Sequence, residues 1–122
     1  MVATQKAVKG FRIPKRTARL VFVDTLYEGA EVVVRLDVPV GTFMEIQDLI
    51  AAEKQFQVFN LFGESILEDW NLHNDNGKSL PATGQGMTAL PIDLANTILQ
   101  QWVEAAVQTP DPLDLRLNGG SM

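Results

Sequence analysis

The feature that most restricts how this chain can fold is a change in the spacing of its apolar residues near position 40, from every second residue to every third or fourth. Before it, Leu20 and Phe22, then Val32, Val34 and Leu36, alternate with Arg19, Val21, Val33, Arg35 and Asp37. Successive side chains of a strand point to opposite faces, so this period predicts two strands with one buried face, near 18–25 and 31–38. Tyr27-Glu28-Gly29-Ala30 supplies the turn of a hairpin. Beyond Pro39-Val40-Gly41 the spacing is helical. Thr42 and Glu45 stand as in a capping box, which predicts a helix beginning there, with Ile46, Leu49 and Ile50 as its stripe. A second stripe, Phe56, Phe59, Phe62 or Gly63, Ile66, Leu67 and Trp70, predicts a helix running on to Trp70. His73-Asn74-Asp75-Asn76-Gly77-Lys78 is rich in residues that bond their own backbone or accept left-handed geometry, and is a turn. Thr83 caps a short helical turn through Met87 and Leu90. Pro91 then opens a last helix where its missing N–H costs nothing, with Ile92, Ala95, Ile98, Leu99, Trp102 and Ala106 on one face. The expected fold class is α+β, an N-terminal β-hairpin followed by a small bundle of three to four helices.

The 122 residues suit one domain, expected at 17–108, between a flexible basic arm at 1–16 and a flexible C-terminal tail at 109–122, where Thr109-Pro110-Asp111-Pro112 stops the last helix near Gln108. No apolar run approaches the roughly 20 residues that span a bilayer. Lys6 and Lys9 are followed by no apolar segment of the secretory kind, and there is no cysteine. Both point to the cytoplasm, and the second removes disulfides, thiolate metal sites and thiol nucleophiles together. Net charge is −5, yet Lys6, Lys9, Arg12, Lys15, Arg16 and Arg19 all precede the first acidic residue, Asp24. A basic arm on an acidic body can meet nucleic acid, an acidic partner or another copy of the chain. With Phe11 its one aromatic residue and no groove-reading motif, the arm argues against specific nucleic-acid recognition.

Residues suited to chemistry are sparse. His73, the single histidine, lies among turn formers, and a general base needs a partner and a pocket. Asp75, Asn76 and Gly77 lack the alternating oxygen ligands and closing glutamate of a calcium loop. Glu64 and Glu68 are expected one helical turn apart on a solvated face, and Gly84 and Gly86 lack the spacing of a phosphate loop. The reading is a non-enzymatic protein-binding module with no cofactor and no bound metal. The candidate protein-binding residues are Val21, Val23 and Val33 on the second face of the hairpin, with Phe59, Trp70 and Trp102 on the helical stripes. That second face is more apolar than water requires, and is expected to be covered by the chain's own helices or to mediate self-assembly. Tryptophans anchor many interfaces, but both of these fall on stripes that a core would use.

The passage Ile66-Leu67-Glu68-Asp69-Trp70-Asn71-Leu72, then Asp75-Asn76-Gly77-Lys78-Ser79-Leu80-Pro81-Ala82-Thr83, Gly86-Met87 and Leu90-Pro91, followed by a helix carrying Trp102, resembles the tail assembly chaperones of long-tailed bacteriophages. The resemblance covers roughly residues 56 to 120, whereas the hairpin and its basic leader depart from the mostly helical pattern of that family. It implies binding of the tape-measure protein, whose long apolar helices are kept soluble, and recruitment of tail-tube subunits. It also implies action in the cytoplasm of the infected host and absence from the mature virion. Family members are commonly made in a short and a frameshift-extended form, of which this chain would be the short one. The client is expected in a groove between the Phe56–Trp70 and Ile92–Ala106 helices. Two other readings are a virion structural protein, either a head-tail connector or a minor tail protein, and a small regulator working through its basic arm.

Overall fold

A computed structural model of the chain describes residues 8–108. Three strands, β1 (Thr17–Val21), β2 (Glu31–Arg35) and β3 (Leu67–Trp70), form an antiparallel sheet in the order β1-β2-β3. The described helices are α1 (Val40–Ala51), α2 (Gln55–Ser65), α3 (Gly84–Thr88) and α4 (Ile92–Ala106). The architecture is the α+β class expected, with the hairpin extended by a third strand. No helix among the described residues is long and apolar enough to cross a membrane. The flexible-tail reading of 109–122, and that of the arm over 1–7, lie outside the described residues. At 8–16 the chain has no regular structure, but the Arg16 carbonyl accepts from the Leu36 amide (2.8 Å), and Lys15 Nζ pairs with Glu68 (2.7 Å).

The hairpin follows from the alternation. Leu20 lies opposite Val32 and Ala18 opposite Val34, and these residues face the helices, while Arg19, Val21, Val33 and Glu31 face away. Both strands are shorter than their apolar pattern, because Phe22 is buried from the loop rather than from the ladder. Gly29 takes a left-handed φ of 102° in that loop, a conformation that favours glycine. Asn71 ties the hairpin to β3: its side-chain oxygen accepts from the Glu31 amide (2.8 Å) and its side-chain nitrogen donates to the Gly29 carbonyl (3.1 Å).

The helices depart from expectation at three points. α1 begins at Val40, not at a Thr42 cap, because Pro39 stands extended before it and its carbonyl already accepts the Phe43 amide (3.1 Å). Thr42 and Glu45 are therefore inside the helix, and no side chain caps it. The helix expected to reach Trp70 ends at Ser65, after which the chain becomes β3. Ile66 is the joint: its amide closes the helix on the Phe62 carbonyl and its carbonyl accepts from Arg35 of β2, both at 2.9 Å. Phe56, placed on the buried stripe by its spacing, is 69% exposed, since it sits on the first turn of α2 beyond the reach of the core.

Trp102 of α4 is wholly buried at the centre. Its ring meets Phe62 of α2 edge-on and Phe43 of α1 at a tilt, each with centroids 5.5 Å apart, and its Nε1 donates to the Arg35 carbonyl (3.0 Å). One side chain thus joins the sheet to three helices. α3 packs backbone to backbone on α2, where a Cβ on Gly63 would run into Thr83 and Gly84. Glu64 accepts from the Gly84 amide (2.8 Å) and Thr83 from the Gly86 amide, so both serve the first turn of α3.

Candidate protein-binding surfaces

The six residues singled out from the sequence do not meet at one site. Val21 and Val33 lie on the outer face of the sheet, and Val23 follows β1 in the loop. Val21 and Val23 are exposed and Val33 is half-buried. No helix among the described residues packs on this face, which corrects the expectation that the chain covers it. Its apolar character is diluted by Arg19, which pairs with Glu31 diagonally across the strands (3.1 Å), and by Asp69 opposite Val33. Phe59 is buried and walls a crevice of about 130 Å³ between the α1–α2 corner and α4, with Glu53, Gln55 and Asn96 also at its edge. That crevice is what lies where a groove between the two long helices was expected. Trp70 is on β3, half-buried on the core side, its Nε1 donating to the Leu80 carbonyl (2.8 Å).

Trp102 belongs to a different surface. Where the start of α1 meets the end of α4, a groove of about 190 Å³ has Leu36 and Val38 on one wall, Val40 and Phe43 on the next, and Trp102, Ala106 and Val107 on the third. Every lining residue is apolar. Val40 and Val107 are 78% and 63% exposed at its rim, and Met44, one turn after Val40, is also exposed. Asp37 stands between Leu36 and Val38 in sequence. Its side chain pairs instead with Arg35 (3.5 Å), and both contacting atoms are shut off from solvent without other partners. Desolvation pushes the Asp37 pKa up, but its own backbone amide, the Arg35 guanidinium and the Arg16 amide outweigh it, and the net shift is below the ordinary carboxylate value. The carboxylate is held in charged form, away from the groove. The sequence carried a signal for this surface in Val40 and Phe43, apolar residues three apart that the Ile46-Leu49-Ile50 stripe does not use.

A wider cavity of about 540 Å³ lies between the hairpin loop, the turn after β3 and the α3–α4 junction, with Leu72, Leu80, Leu90 and Leu94 among its lining and Tyr27, His73 and Asp75 at its polar side. The Tyr27 hydroxyl donates to Asp93 at the start of α4 (2.9 Å), latching the hairpin to that helix. His73 pairs with Ser79 across a turn whose amides at Asn76 and Lys78 donate to the Asn74 side chain, as the turn composition required. Glu64 and Glu68 are not neighbours on a helix: Glu64 caps α3 and Glu68 holds Lys15. No protein-family model, curated protein or solved structure matches the chain.

Proposed function

We propose that this chain is a non-enzymatic chaperone of phage tail assembly, which shields apolar residues of a tape-measure protein in the groove between α1 and α4 and helps bring tail-tube subunits to it in the host cytoplasm. The observation that carries this reading is the groove itself, lined entirely by apolar side chains and open to solvent at Val40 and Val107. Isolated exposed apolar residues are ordinary on a folded surface, but a concave set of them is a surface suited to being covered. Its walls suit the side chains of an amphipathic segment, whose apolar residues enter a groove one turn at a time. The net charge of −5 keeps a carrier of such surface dispersed. The pattern from Ile66 to Pro91 that resembles the tail chaperones supplies the choice of client.

Co-expression with the tape-measure protein tests the proposal. The client should be soluble with the chain, and should return to the insoluble fraction when Val40→Glu places a charge on the groove rim. A client equally soluble without the chain removes the reading.

A second reading rests on a different observation. β1 is an edge strand, and Val21, Val23 and Val33 are left uncovered beside it. Self-assembly through that edge, as in a connector or minor tail protein, predicts a mass above the monomer in light scattering and the chain's presence in purified particles. A strict monomer absent from particles eliminates it.

A further inference from the structure

We propose that the groove between α1 and α4 receives a second copy of this chain, whose basic leader inserts Phe11 there and sets Lys9 and Arg12 against the acidic helices around it. The contact is head to tail, the leader of one copy in the groove of the next. It uses the groove on which the chaperone reading also rests, but not the identity of any client.

The first argument is the fit of the leader. Phe11 and Ile13 are 82% and 79% exposed, on a stretch without regular structure. Pro14 favours extended backbone at Ile13, and in extended chain Phe11 and Ile13 share one face while Arg12 takes the other. The leader thus offers an aromatic and an aliphatic side chain among cations. A side chain is also what the groove can take: at about 190 Å³ it is smaller than the roughly 300–1,000 Å³ of pockets that hold free small molecules.

The second argument is charge. α1 and α4 carry Glu45, Asp48, Asp93 and Glu104 and no lysine or arginine. Glu104 stands three residues before Val107, on the side of α4 that reaches the groove rim. Among the described residues Glu45, Asp48 and Glu104 have no ion-pair partner, and neither do Lys9 and Arg12. A basic leader and an acidic pair of helices are complementary, and complementary charge steers association and fixes its orientation.

The third argument says why the leader comes from another copy. Residues 35–38 alternate between two cavities: Leu36 and Val38 line the groove, whereas Arg35 and Asp37 line a separate one with Glu64 and Leu67. Ile13 and Lys15 lie at that second cavity, where Lys15 is held by Glu68 (2.7 Å). The leader is therefore moored across residues 35–38 from its own groove, with Phe11 left uncovered. A neighbour's groove is open to it without breaking that mooring. Because the two contacting surfaces differ, the contact either closes into a ring or continues along a chain of copies.

Mixing two variants of the full chain tests the contact. Phe11→Asp spoils the leader and keeps the groove, whereas Val40→Glu charges the groove rim and keeps the leader. Both positions are exposed, so both proteins should fold, with far-ultraviolet dichroism as the check. In sedimentation velocity the mass of the unaltered chain should rise with concentration, and each variant alone should need at least about tenfold more protein to associate. An equimolar mixture should regain association, but only as a dimer of one of each, since one member lacks a working leader and the other a working groove. With Phe11→Asp isotope-labelled in that mixture, the NMR amide signals of Val38, Phe43, Ala106 and Val107 should shift. With Val40→Glu labelled, those of Lys9 to Ile13 should shift instead. Association of the unaltered chain should weaken several-fold as salt is raised, because exposed charges are screened. A chain that stays monomeric at every concentration would overturn the proposal, and so would a monomer whose groove amides move on Phe11→Asp, since the occupant would then be its own leader. Association that survives both substitutions, or variants that stay apart when mixed, would overturn it as well. No client enters these measurements: a tape-measure protein soluble without the chain removes the chaperone reading and leaves this one in place.

Discussion

Trp102 ties α4 to α1, α2 and the sheet, because its ring is shared by Phe43 and Phe62 and its one polar atom is satisfied by the Arg35 carbonyl. Trp102→Ala should cost about 3–5 kcal/mol in urea unfolding, the range for deleting a large buried aromatic. Trp102→Phe keeps a ring but leaves the Arg35 carbonyl without its partner, at about 1–3 kcal/mol. Tyr27 gives a second prediction. Its pKa is raised above 10.0, first by the hydrogen bond to Asp93, then by desolvation and by the charge of Asp93. A raised folded pKa means that the contribution of this latch is complete below the ordinary tyrosine value and is lost as pH climbs through the folded one. Tyr27 is the sole tyrosine, so alkaline titration followed by tyrosinate absorbance reads it directly, and Asp93→Asn should lower its midpoint. An unmoved midpoint would mean that the latch is open in solution.

At the scale of elements, the contact between α2 and α3 depends on the absence of side chains. Gly63→Ala drives a methyl into the backbone of Thr83 and Gly84, which cannot yield as a flexible side chain can, so a loss of about 1–3 kcal/mol should appear as a lower melting temperature. By contrast, Arg19→Ala removes an exposed ion pair and should change stability by less than about 1 kcal/mol. The same scale explains what the sequence disclosed and what it hid. The hairpin was legible because Leu20, Val32 and Val34 keep a strict period of two, and α4 because Ala95, Ile98 and Trp102 keep the helical one. β3 was not, because its pairing with β2 slips: Val34 faces Leu67 but Val33 faces Asp69, so Glu68 is an extra residue. That bulge puts Leu67 and Trp70 on the same face three positions apart, the spacing of a helix. The candidate surfaces were harder still. Trp102 was singled out, but its role as both core and groove floor needs the meeting of α1 with α4, which no local pattern encodes.

Across the whole molecule, the sheet face turned from the helices carries Val21 and Val33 among charged residues, while the groove on the other side carries none. The two faces are therefore unequal as binding surfaces, and Val40→Glu should impair client solubilisation where Val21→Glu does not. The measurement is the soluble fraction of the client for each variant, beside far-ultraviolet dichroism to show that both remain folded. Equal loss from the two substitutions would point to nonspecific apolar attraction instead of a groove.

The placement of Trp102 joins this surface to the endurance of the protein. A side chain that floors the groove and also clasps the sheet to α1 and α2 links occupancy of the groove to folding: any ligand that binds there only in the folded state, at a hundred times its Kd, adds about 2.7 kcal/mol to that state. If the chain carries a client as proposed, the loaded form should resist proteolysis and the emptied one yield to it, so that release of the client would also start the clock on the chain's own turnover.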